Sequence, residues 1–194
     1  GKTNYLKNVT SAFIDGRKLI TAADGNKLSK AELNKIQDYV QIICNNWEDV
    51  IAESVFKYAG SVYKDLGKIE KALDSGSGMD KAMSAYLKHW GELKGCAMEL
   101  QAGPDNNSDT FIRMNRMMGF GPLMPNLSQV IGIDSSGDYI KDQGSSIGHY
   151  KLHMLKIQKL IASKYALKAK VNDATGGMAA LLEEVGSNKS AEND

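Results

Sequence analysis

"SKAELNKIQDYVQIICNNWEDVIAESVFKYAGSVYKDLGKIEKALDS", residues 29–75, decides the fold. Leu33, Ile36, Val40, Ile43, Trp47, Val50, Val55, Tyr58, Val62, Leu66, Ile69 and Leu73 recur every three to five residues, the spacing that lines one face of an α-helix. Ser29 with Glu32 three positions on makes a capping box, so the helix has a defined start. Gly60 is the one position in this run expected to bend or split it.

Outward from this stretch the text stays helical. Upstream, Tyr5 to about Ala22 carries Leu6, Val9, Phe13, Leu19 and Ile20, and Asp24-Gly25-Asn26 breaks the chain. Downstream, "DSGSGMD" is a turn into a helix from about Met79 to Ala102, which Gly103-Pro104 ends. "NNSDTFIRMNRMMG" predicts a short helix stopping at Gly119, with Phe111, Met114, Met117 and Met118 on its apolar side. "GFGPLMPNLSQVIGIDSSGD" reads as irregular with one helical turn, and "GFGPLMP" (119–125) must bury its apolar side chains, as the wall of a pocket for instance. A last long helix begins between Tyr139 and Ser146 and runs to about Leu167; a short one covers Met178–Val185. No strand alternation is sustained. The expected fold is all-α, an antiparallel bundle of four or five principal helices with an irregular Gly/Pro/Met loop region, in one domain over 1–170, followed by a polar, partly disordered tail over 171–194.

Composition narrows the function classes. The 194 residues carry 24 basic and 23 acidic side chains for a net charge of +1. The three arginines, Arg17, Arg113 and Arg116, form no basic stripe with interleaved aromatics, which argues against a nucleic-acid partner. No window reaches the roughly 18 consecutive apolar residues of a membrane-spanning helix. The chain opens with Gly1, read as a processed or engineered start, so the lack of a signal peptide says nothing about export. Cys44 and Cys96 fall on apolar helical faces and read as buried free thiols, or as a bridge if the protein is exported.

Chemistry-bearing residues concentrate in "KHWGELKGCAMELQ" (88–101). His89 and Glu92 lie three apart on one helical face, and His149 and His153 lie four apart on another. Imidazoles and carboxylates on facing helices are competent ligands for iron or zinc, so these four form a candidate metal set. A buried His89 satisfied by Glu92 or by a backbone carbonyl accounts for the same pattern. Trp90, Gly91 and Gly95 complete the candidate ligand-binding set, the glycines serving either close backbone packing or space for a ligand. Met114, Met117, Met118 and Met124 read as core filling in preference to soft metal ligands. Trp47 reads as a core aromatic, with Glu48 and Lys88 as solvated charges. The chain has no GxSxG elbow, Gly-rich phosphate loop or HExxH helix, which leaves hydrolysis without a sequence signature.

"AYLKHWGELKGCAMELQAGPDN" resembles a KHWxExKGFxLxLQxNP block of bacterial envelope proteins of the imelysin-like, iron-regulated group. "FIDGRKLI", "NNWEDVIAESVFKY" and "HYKLHMLKIQKLIASKYAL" are similar to other parts of that pattern, so the resemblance spans most of 5–167. His89 and Glu92 match the His and Glu of the group's GxHxxE motif, while Leu87 stands where the motif has Gly. The resemblance implies a periplasmic or outer-membrane-anchored protein, its lipid anchor outside this chain, which would be the C-terminal part of a longer one. It also implies a role in iron or haem acquisition, with a metal or haem ligand and an envelope protein partner. The leading expectation is a non-enzymatic binding protein with a polar site around His89 and Glu92. The alternatives are a metal-dependent hydrolase of the imelysin type and a structural bundle that docks a partner through an apolar face.

Overall fold

A computed structural model describes residues 3–103, 109–143 and 146–190. Its elements in chain order are α1 (Tyr5–Ala22), α2 (Lys30–Ser75), α3 (Met79–Gln101), α4 (Asp109–Met118), β1 (Ser128–Ile133), β2 (Tyr139–Gln143), α5 (Ile147–Lys164), a 3-10 turn (Thr175–Gly177) and α6 (Met178–Ser190). The fold is all-α apart from one small hairpin. No helix among the described residues is long and apolar enough to cross a membrane. Pro104 and the Asn106–Ser108 helix start lie outside the described residues.

Local chemistry places the ends. Ser29 Oγ accepts from the Glu32 backbone N–H while Glu32 Oε2 accepts from the Ser29 N–H, so the capping box starts α2 as read. Gly76, at φ 65°, supplies the left-handed residue that ends α2 and lets α3 fold back antiparallel. Because α2 is 46 residues long, it serves two layers in succession. Its C-terminal half packs against α3 and α5, and there the core forms: Val55, Phe56, Val62, Leu66 and Ile69 meet Tyr86, Leu93, Phe111, Met114, Tyr150, Met154 and Ile157. Fully burying one such large apolar side chain contributes about 1.5–3 kcal/mol, which makes this region the stable part of the molecule.

The N-terminal half of α2 carries α1, with Trp47 Nε1 also reaching Glu99 Oε1 of α3, and the sequence reading needs correction here. The buried residues of α1 are Tyr5, Ala12 and Gly16, while Leu6, Phe13 and Ile20 face outward. Leu33, Val40, Trp47 and Val50 of α2 are likewise exposed, so Trp47 is a surface residue and not a core aromatic. Cys44 is exposed and Cys96 half-buried, both as free thiols.

Gly60 does not split α2, which runs unbroken from Lys30 to Ser75. It is buried where the strap after α5 crosses the helix, and a Cβ there would press into the Asn172 carbonyl and come within 2.6 Å of Gln158 Nε2. Gln158, fully buried on α5, holds that strap by donating to the Phe56 and Asn172 carbonyls and accepting from the Ala174 N–H. Glu53 Oε1 adds a second tie, accepting from Tyr5 Oη and from the Lys168 and Ala169 N–H groups. Beyond the strap, Leu181 and Val185 of α6 pack on Leu152 and Leu155, so 171–185 lies against the bundle.

The β1–β2 hairpin is the element the sequence did not announce. It is antiparallel, with a register irregularity between Val130 and Gly132, and its turn is held by Asp134 Oδ1, which accepts from the Ser136 and Asp138 N–H groups. Neither strand alternates: only Gln129 of β1 is buried, and β2 is exposed over 139–142, so period two leaves no mark in the sequence. Inward-facing Gln129 is buried and donates to the Met118 and Gly121 carbonyls, while Ile131, Ile133, Tyr139 and Ile140 are exposed. In the preceding loop Leu123 enters the core, whereas Phe120 and Met124 remain partly exposed.

Candidate functional site

His89 leaves α3 toward α2, and its partner is not Glu92. Nδ1 lies 2.5 Å from Asp65 Oδ2, and the second oxygen of Asp65 accepts from Lys68 Nζ at 2.6 Å. The Asp65 side chain is only 1% exposed, against 29% for His89 and 60% for Lys68, so a buried carboxylate is bracketed by two cation-forming groups at the surface. A carboxylate only accepts, which places the hydrogen on Nδ1 and leaves Nε2 without a partner among the described residues. The Tyr58 ring stands 6.2 Å from the imidazole, centre to centre, and Lys57 Nζ sits 4.7 Å over that Tyr58 ring. One face of α2 and α3 therefore presents an oriented imidazole flanked by an aromatic wall and by Lys57 and Lys68.

The other residues of the block have different tasks. Glu92 forms no ion pair with His89; it lies near Cys96, whose thiol is pushed up by burial first and then by Glu99 and Glu92. Trp90 points toward α5, where Nε1 donates to Tyr150 Oη at 2.8 Å. Tyr150 Oη in turn donates to the Met118 carbonyl at 2.6 Å. The buried Tyr86 hydroxyl adjoins this network without a hydrogen bond of ordinary geometry. Burial pushes the pKa of both Tyr86 and Tyr150 well above the usual phenol value, so these phenols are neutral structural groups. Gly91 and Gly95 are exposed, and a Cβ added at either would meet nothing within 4 Å. They provide no close backbone packing, and the sequence reading that gave them that role is corrected: the close crossing is at Gly60.

His149 and His153 do not join His89. Ser146 caps the start of α5, its Oγ accepting from the His149 N–H, and His149 Nδ1 lies 3.2 Å from the same Oγ. His153 lies against α4, where the Met117 backbone hydrogen-bonds it; burial, then Lys156, holds its pKa below the usual histidine value, and His149 adds to the effect. Among the described residues no three His, Cys, Asp or Glu side chains gather as a metal-holding group, so His89, Glu92, His149 and His153 do not converge on one ion.

Asp65 is the site residue that sequence reasoning missed. A signal was present: position 65 falls inside the apolar seam of Val62, Leu66 and Ile69, where a carboxylate is out of place unless something pairs with it. The fold and site define a class only, an all-α bundle with an oriented surface imidazole. No protein-family model, curated protein or solved structure matches the chain.

Proposed function

We propose that this chain is a non-enzymatic binding protein of the imelysin-like kind, acting in iron or haem acquisition in the bacterial cell envelope. Its polar site is centred on His89, with Glu92 one turn further along α3. The observation that carries the reading is the Asp65–His89 pair, Nδ1 to a buried carboxylate and Nε2 without a hydrogen bond among the described residues. Metal-binding histidines characteristically donate their second ring nitrogen to a carboxylate, which fixes the tautomer and raises the basicity of the ligating nitrogen.

The same geometry favours haem over a bare ion. A free zinc ion takes about four protein or water ligands, commonly three or four from the protein, whereas haem brings its own equatorial nitrogens and takes a single axial histidine. Lys57, over the Tyr58 ring beside the imidazole, is a counter-charge for a propionate. The test is titration of the purified protein with haemin, read in the Soret band. A saturable one-to-one shift that disappears in His89→Ala and weakens in Asp65→Asn supports the reading; an identical response in His89→Ala overturns it. The envelope setting rests on the resemblance of the KHWGELKG block and is tested by fractionating the source cells.

A second reading, docking of a protein partner, is favoured by the α1–α2 hairpin. There Phe13, Ile20 and Val40 line an apolar groove of about 310 Å3 and are exposed. Phe13→Asp with Val40→Asp would abolish such docking and leave haemin binding unchanged.

A further inference from the structure

Two of the chain's three arginines meet in one place. Arg113 and Arg116 stand three apart on α4, and opposite them Lys156 and Lys159 stand three apart on α5; together with Met117, His153, Leu160 and Ser163 they line an open groove of about 600 Å3. All four cations are exposed, and none forms an ion pair among the described residues. Asp109, one turn before Arg113, pairs with neither arginine. Among the described residues no carboxylate lines the groove.

This arrangement is self-repulsive, since like charges three apart on a helix disfavour each other and here two such pairs face one another. In a chain with a net charge of only +1 the concentration is local, and composition alone conceals it. The chemistry has a direction. Guanidinium groups present a planar fork that matches phosphate oxygens in pairs, and lysines on the opposite wall supply point charges. Between them Met117 and Leu160 form an apolar floor, and the groove falls within the roughly 300–1,000 Å3 of small-molecule sites, larger than a lone phosphate needs.

We propose that the α4–α5 groove binds a multiply charged organic phosphate, its phosphoryl oxygens clamped between Arg113 and Arg116 on one wall and Lys156 and Lys159 on the other, its carbon portion against Met117 and Leu160. This site is independent of His89 and does not rest on haem binding.

Isothermal titration of the full chain with adenosine diphosphate and with inorganic pyrophosphate, beside flotation with phosphatidylcholine vesicles containing phosphatidic acid, tests it. Two double variants, Arg113→Gln/Arg116→Gln and Lys156→Gln/Lys159→Gln, are compared with Lys18→Gln/Lys27→Gln on another surface. All substituted side chains are exposed, and thermal melts check that each variant folds. The expected result is saturable one-to-one binding of the diphosphate, weakened about tenfold or more in each groove variant and unchanged in the control. Binding to the vesicles alone, lost in both groove variants, supports the same phosphate chemistry with a lipid headgroup as its source. Absence of saturable binding to all three probes, or binding that survives both groove variants, overturns the proposal.

Discussion

Replacing Gly60 by alanine should destabilise the protein, although alanine is the better helix former. The intrinsic gain in a helix interior is about 0.8–1 kcal/mol. Against it stands a methyl pressed into the Asn172 carbonyl and 2.6 Å from Gln158 Nε2. Gln158 cannot retreat freely, because its amide also serves the Phe56 carbonyl and the Ala174 N–H. Overpacking of this kind costs about 1–3 kcal/mol. A buried amide displaced from its partners costs roughly another 1–3 kcal/mol. The net loss is thus about 1–5 kcal/mol, centred near 3. With a urea m-value of about 2 kcal/mol/M, the unfolding midpoint falls by roughly 1.5 M. Gly91→Ala and Gly95→Ala, whose added methyls meet only open space, are the internal controls: each should raise stability by up to about 1 kcal/mol. A Gly60→Ala midpoint at or above that of the parent would refute the crossing at Gly60, and a loss at Gly91 or Gly95 would restore the packing role the sequence suggested for them.

Two further expectations concern the polar interior. Tyr150→Phe strands Trp90 Nε1 and removes one of the two donors to the Met118 carbonyl, which keeps Gln129 Nε2, and should cost about 1–3 kcal/mol, whereas Tyr86→Phe removes a hydroxyl without a well-formed bond and should be near neutral; chemical unfolding of the two variants separates them. His153 has a folded pKa below its unfolded value of 6.5, so the unfolded chain binds the extra proton first as the solution is acidified. Its contribution is fully present above pH 6.5 and is lost as pH falls through the depressed folded value. Stability of the parent should therefore decline below pH 6.5 more steeply than that of His153→Gln, measured by thermal melts across that range.

Much of the architecture was legible because helices leave local signatures. The Tyr5 start of α1, the Ser29–Glu32 capping box, the "DSGSG" turn and the Gly119 stop are each decided by residues within one or two turns. The hairpin was not, because its one buried side chain is Gln129 while Ile131, Ile133, Tyr139 and Ile140 are exposed, so it lacks the alternation a half-buried strand shows. The site was legible by half. His89 stands out in the text, but its partner is 24 residues away on another helix, and periodicity tells which face a residue occupies without telling which faces meet. Glu92 was chosen because it is close in sequence, and Asp65 holds the imidazole because it is close in space. The α4–α5 groove was hidden for the same reason: Arg113 and Lys156 become neighbours only when the two helices pack.

The most direct test of the account is the protonation of the His89 ring, read by long-range proton–nitrogen correlation spectroscopy on labelled protein and assigned with His89→Gln. If Asp65 fixes the imidazole, the neutral ring carries its hydrogen on Nδ1 and leaves Nε2 bare, with the pattern relaxing in Asp65→Asn. A neutral His89 carrying its hydrogen on Nε2 would contradict the account, because the nitrogen offered to a ligand would then be the wrong one.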